Sequence, residues 1–181
     1  TQPFGAVVAE VQQRLAAARE AWSIVESGKH GLPVVDLLPY YLADLEHVGD
    51  MVTMRHVLDQ GLRLAEQSRS PYLLTLCRHT EAILAINLGH FAQAEDWTTQ
   101  ALDIGRRIAQ DQALSAFGMQ MFCLRREQGR LGEALPMLRH FVQSTPEVQQ
   151  WQPGLALLYA ELDMRAQCQA QFDSLSWKAA T

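Results

Sequence analysis

Three cysteines and six histidines are the side chains of this 181-residue chain best suited to bind a metal or to move a proton. Cys77 and His79 stand two apart, a spacing that turns them about 200° from each other on a helix, so one ion cannot readily bridge them. His47 or His79 acting as a general base would need a carboxylate and a nucleophile nearby, and the sequence supplies no obvious one. Cys77, Cys123 and Cys168 are odd in number, widely spaced and embedded in helical patterns. That usage predicts reduced thiols packed as small hydrophobes, not a disulfide framework. Met119 and Met121 fall on nearly opposite faces of one helix and read as packing fillers. Phosphate-loop, dinucleotide-loop, nucleophile-elbow, His-Glu-x-x-His and paired Cys-x-x-Cys patterns do not occur. The expectation is no catalytic residue, no cofactor and no metal.

Charge narrows the partners further. There are 15 basic and 20 acidic side chains, for a net charge of −5, and Lys29 and Lys178 are the only lysines. Counterion release on nucleic acid or an anionic membrane needs clustered Lys and Arg, so neither is expected as a direct partner. The one basic concentration is Arg106, Arg107, Arg125, Arg126, Arg130 and Arg139. Its plain reading is solvated helix faces and C-terminal charges that complement the macrodipole. Its sharper reading is an acidic-peptide or phosphate contact. Apolar runs are broken by charge well before about 18 residues, and no basic start with an apolar segment reads as a signal peptide, so a cytoplasmic protein is expected. A chain starting at Thr1 reads as a processed protein or as a piece of a longer one.

The elements that position these residues are helical throughout. Phe4, Val8, Val11, Leu15, Ala18, Trp22 and Val25 step by four and three, an amphipathic stripe with few complementary charges at its margins that Gly28 and Gly31 then end. Helical spacing continues over 34–48, 51–68, 72–88, 91–109, 111–128, 131–144, 148–162 and 165–175, making nine helices of an all-α fold. Short turns between successive helices favour antiparallel neighbours. Gly49, Gly89, Gly129 and Asp163 take equivalent places in these turns, at intervals of 40, 40 and 34 residues. A sharp reversal there calls for a positive φ, which glycine adopts without penalty. A period of this length marks an α-solenoid, whose units bury their faces only against neighbouring units. Five residues past each turn, where the second helix crosses closest to the first, stand Met54, Ala94, Ala134 and Cys168, and Met54 predicts the widest crossing. Seven further on come Gly61, Ala101, Phe141 and Leu175. The organisation expected is an N-terminal amphipathic helix and turn over 1–33, continuous with a repeat array over 34–181.

Gly-x-Phe-x-x-Ala at 89–94 with Ala101, Gly-x-Leu-x-x-Ala at 129–134 with Pro146, and Tyr159 with Cys168 and Phe172 resemble tetratricopeptide (TPR) units over about 35–175. The stretches 124–131 and 155–162 are also similar to the TPR tails of large bacterial signalling regulators. Those proteins combine an adenylate-cyclase or LuxR-type DNA-binding segment with a P-loop ATPase. The resemblance implies a non-enzymatic interaction or scaffold module within such a regulator, binding a protein, a peptide or other domains of the same polypeptide. It also implies that the first helix of each hairpin lines a concave surface. From the shared turn, that geometry places Asp36, Glu46, His47, His79, Asn87, Arg126 and Glu127 on or near the groove, with Ile83, Met119 and Leu157 between them. A clamp of Lys and Asn for a terminal carboxylate is absent, because the corresponding places hold Pro39, Ala43, His79, Ile83, Met119 and Cys123. The alternative is a small-ligand sensor, which a concave-side pocket of about 300 Å³ or more would favour. Weak self-association through a terminal helix is a further expectation.

Overall fold

The computed structural model describes residues 4–27, 34–144 and 151–175, with side chains from Ala9 onward. Among these residues there are nine α-helices, one short 3-10 turn and no strand. The helices are α1 Phe4–Glu26, α2 Val34–Val48, α3 Met51–Ser68, α4 Pro71–Asn87, α5 Phe91–Gly105, α6 Gln110–Glu127, α7 Leu135–Ser144, α8 Trp151–Glu161 and α9 Arg165–Ser174. The all-α expectation therefore holds. Gly28, Gly31, Pro146, Trp177, the side chains of Phe4 and Val8, and the start of the helix expected from residue 148 lie outside the described residues.

Two boundaries differ from the periodic reading for physical reasons. The fifth element stops at Gly105, and residues 106–109 leave the helix with Ile108 and Ala109 both donating to the Gly105 carbonyl at 2.9 Å. Apolar spacing continues across that turn, so periodicity alone overran it. The seventh element begins as a 3-10 turn, Leu131–Ala134, before becoming α-helical at Leu135, where Pro136 occupies the first helical turn and needs no donor.

The turns repeat in atomic detail. Gly49, Gly89 and Gly129 have φ of 74°, 73° and 67°, and Asp163 follows with 54°. Each donates its N–H to the carbonyl three residues back: Glu46, Ile86 and Arg126 at 3.0 Å, and Ala160 at 3.1 Å. Each following residue donates five back, from Asp50 to Leu45, His90 to Ala85, Arg130 to Arg125 and Met164 to Tyr159, over 2.8–3.0 Å. This paired bonding uses the last carbonyls of a helix while the left-handed residue turns the chain. Arg69, with φ of 49°, ends α3 in the same way. Ser70 then caps α4, accepting from the Leu73 N–H at 3.3 Å ahead of Pro71, and Asp50 caps α3 by accepting from Thr53 at 3.1 Å.

The described helices pack on their neighbours in sequence, except that α6 meets the 3-10 turn before α7 in place of α7 itself; α2 with α4 and α4 with α6 also meet. The α4–α5 pairing, with Ala94 at the crossing, is the most extensive. Met54, Ala94 and Ala134 are all buried, while Cys168 is only half-buried. Gly61 of α3 sits where a Cβ would lie 2.9 Å from Leu38 Cδ2 and 3.2 Å from Cys77 Sγ, so its missing side chain lets α2, α3 and α4 converge. Leu15, Trp22, Leu38, Leu45, Leu58 and Cys77 belong to the core shared by α1 to α4. Each fully buried leucine there contributes roughly 1.5–3 kcal/mol by leaving water. A second cluster joins the 3-10 turn, α7 and α8, where Phe141 stacks on Trp151 with centroids 5.0 Å apart.

The stripe on α1 packs into the core it shares with α2 to α4, burying Leu15, Ala18 and Trp22. Its margins carry more complementary charge than the sequence suggested. Arg14 grips the buried Asp44 of α2 with two bonds, Arg19 meets Asp50 at 3.3 Å, and Trp22 Nε1 donates to Gln60 Oε1 of α3. These partners lie 30 to 38 residues away, out of reach of a local pattern.

Two readings of single side chains are corrected. Cys123 is exposed and Cys168 half-buried, so of the three thiols Cys77 alone is a buried hydrophobe; burial pushes its thiol up to about 12. Arg125 is not a solvated end-of-helix charge. Its side chain is buried and donates to both Glu95 oxygens at 2.6 and 2.8 Å and to Gln128 Oε1 at 2.7 Å, with Glu133 at 3.4 Å. The same place before the other turns holds Leu45, Ala85 and Tyr159, all buried.

Candidate functional site

The seven residues expected on a groove all lie on α2, α4 and α6. Asp36, in the first turn of α2, is exposed and makes no ion pair among the described residues. His47 is exposed and its Nδ1–H donates to the Ala43 carbonyl at 2.6 Å. Glu127 is exposed at the end of α6. The others are engaged in links between helices. Asn87 Nδ2 donates to Glu46 Oε1 at 3.5 Å, joining α4 to α2. Arg126 donates to Glu161 Oε1 at 3.1 and 2.8 Å, joining α6 to α8. Glu46 and Arg126 both stand three residues before their turn, and Asn87 and Glu161 two before theirs. The two links therefore occupy equivalent places relative to their turns, with separations of 41 and 35 residues that are each one more than the turn interval.

His79 supplies the third link. Its Nδ1 is 2.8 Å from Gln120 Oε1, while Gln120 Nε2 donates to the His79 carbonyl at 2.8 Å. A carbonyl only accepts, so the Gln120 amide is oriented by it, and its Oε1 must receive a proton from the ring. Nδ1 therefore carries the hydrogen and Nε2 remains an acceptor. Burial lowers the His79 pKa, partly opposed by the Gln120 bond, and keeps the ring uncharged at neutral pH. Gln120 is itself buried, 41 residues from His79, and no spacing in the sequence singled it out.

Small cavities border this row. One of about 130 Å³ is lined by Pro39, Ala43 and Glu46 of α2 and by His79, Thr80 and Ile83 of α4, among others. Another of about 190 Å³ shares His79 but lies toward the 106–109 turn and α6. Both are below the size set for a ligand groove. A wider groove of about 580 Å³ runs between the start of α3 and the end of α4, lined by Met51, Val52, Arg55, Leu84, Asn87 and Leu88.

Further along, the groove positions become apolar and open. Met119 is 53% exposed and Leu157 48%, and Cys123 between them is exposed as well. These take the places that Pro39, Ala43, His79 and Ile83 fill, half-buried, on α2 and α4. Beside them runs the Arg126–Glu161 pair. Of the basic concentration, Arg125, Arg126 and Arg130 are neutralised by glutamates and Arg139 lies over the Tyr159 ring, bonding its hydroxyl at 2.9 Å. Arg106 and Arg107 stand exposed on the α5–α6 turn. No group of three or more His, Cys, Asp or Glu side chains that could hold a metal occurs among the described residues, and no helix there is long and apolar enough to cross a membrane. Compared with protein-family models, curated proteins and solved structures, the chain matches none.

Proposed function

We propose that the chain is an α-solenoid of antiparallel helix hairpins, similar to TPR arrays, that works by binding a protein segment and not by catalysis. Three features support the architecture. The four turns share one bonding pattern, successive elements pack on one another along the chain, with the 3-10 turn between α6 and α7, and polar links recur at one unit's offset between α2 and α4 and between α6 and α8. In such an array α2, α4, α6 and α8 form one face. The bound segment comes from another protein or from elsewhere in the same polypeptide, as in the signalling regulators that the sequence resembles.

The observation that carries the binding reading is the open apolar row Met119, Cys123 and Leu157, in which Cys123 of α6 and Leu157 of α8 stand at equivalent positions, each six residues before its turn, and Met119 lies one helical turn before Cys123. Apolar side chains left half-exposed in register on successive helices cost solvation in the free protein, and a partner that covers them recovers it. The Arg126–Glu161 pair at their edge offers a donor and an acceptor to a peptide backbone or to polar side chains. Selection from a random peptide library tests this. Selected peptides should carry at least two apolar side chains, and Met119→Ser with Leu157→Ser should weaken them tenfold or more while helicity and Tm are kept. Unchanged binding to that double variant would move the site elsewhere.

A further inference from the structure

The cavity of about 190 Å³ beyond the His79 ring has a lining unlike the open row on α6 and α8. One wall is made of small residues, Gly105, Ala109, Ala113 and Ala116, which bring backbone close and leave volume where larger side chains would fill it. That wall is tightly set, since a Cβ on Gly105 would lie 2.9 Å from Ala113 Cβ and 3.4 Å from Thr75 Cγ2. Across from it stand Tyr72, Thr75, Leu76 and His79 of α4. No Asp, Glu, Lys or Arg lines the space, so an ion entering it would be desolvated without a counter-charge. Thr75 Oγ–H is already committed to the Pro71 carbonyl at 2.9 Å. The His79 ring is held by Gln120 in the tautomer that leaves Nε2 an acceptor, and Nε2 has no partner among the described residues.

We propose that this cavity binds a small neutral molecule, of about the size of phenol or indole, that donates one N–H or O–H hydrogen bond to His79 Nε2. The volume is enough for a ligand of this size, because an apolar cavity of about 150 Å³ already accepts benzene. Charge excludes carboxylates and amines. At His79 the fixed tautomer selects a ligand donor, since a ligand acceptor facing Nε2 would leave two lone pairs opposed, while Tyr72 and Gln112 in the same lining can either donate or accept.

The test is an amide NMR titration of the full chain with phenol, toluene and benzoate. Phenol should shift amides within 72–79 and 105–116 and half-saturate at a concentration at least tenfold lower than toluene, and benzoate should shift none of them. Ala116→Leu, which adds volume at the cavity wall, should abolish the phenol shifts with the circular dichroism unchanged. His79→Leu should remove the preference for phenol over toluene. The comparison of phenol with toluene on the unaltered chain reads the donor requirement even where a variant folds poorly. Equal affinity for phenol and toluene, shifts centred outside those two segments, or phenol binding that survives Ala116→Leu would each overturn the proposal.

Discussion

Gly89→Ala isolates the conformational demand of the repeated turn. Gly89 has φ of 73°, and a Cβ built there meets no atom within 4 Å, so the added methyl brings no clash. What remains is the left-handed backbone, which costs an alanine about 1–2 kcal/mol. Alanine also lowers the entropy of the unfolded chain, which returns about 0.4–1 kcal/mol. The net expectation is a loss of about 1 kcal/mol, or a fall of about 2–4 °C in Tm for a chain of this length. Gly132→Ala is the matched control. It too meets nothing within 4 Å, but its φ is not in the left-handed region, so only the favourable entropy acts and stability should hold or rise. Urea denaturation followed by circular dichroism at 222 nm measures both, with equal slopes indicating that the unfolded state is unchanged. Asp163→Gly should move the other way by a few tenths of a kcal/mol, since an aspartate tolerates the left-handed region better than alanine does. Gly89→Ala and Gly132→Ala shifting stability in the same direction would refute the assignment of the turn to φ alone.

Other outcomes follow from single side chains. Arg125→Ala should cost about 2–3 kcal/mol at pH 7, because three charge-assisted hydrogen bonds, two to Glu95 and one to Gln128, vanish while Glu95 and Glu133 keep some access to water. Arg125 holds the Glu95 carboxyl below its ordinary value of 4.5, so the difference between variant and parent should shrink as pH falls below that value; denaturation at pH 7 and pH 3 checks it. His79 is depressed by burial, so the unfolded chain takes up its proton first, and stability should fall as pH drops through about 6.5; the same titration on His79→Gln should be flatter. A thiol reagent at pH 8 should modify Cys123 in the folded protein, and Cys77, buried with its thiol raised to about 12, only after denaturant is added.

The turns were legible because one residue type answers one backbone angle: three glycines and an aspartate at regular intervals pointed to a positive φ, and all four have it. Helix number and most boundaries were legible for a similar reason, since apolar periodicity is a property of each segment. Where a boundary depended on a turn with no glycine or proline, as at 106–109, periodicity ran through it. Side-chain pairings were not legible. Arg125 looked like an end-of-helix charge because Glu95 lies 30 residues away, and His79 looked isolated because Gln120 lies 41 residues away. Cys123 was read as packed because thiols usually are, but it is exposed on α6, whereas Ala43 and Ile83, at the same distance before their turns, are half-buried. These links also change how the face should be probed. Replacing His79 or Arg126 removes a bond between helices, whereas Met119 and Leu157 are free of such duties.

The central claim is that a protein segment lies across α6 and α8 on the row of Met119, Cys123 and Leu157. Methyl NMR of the chain with a library-selected peptide tests it most directly, because the candidate surfaces carry different methyl groups. The account predicts that Met119 and Leu157 methyls shift most, with Ile83 next, and that a spin label on Cys123 broadens the peptide's apolar side chains. Shifts concentrated instead on Met51, Val52 and Leu88, at the groove between α3 and α4, would contradict it.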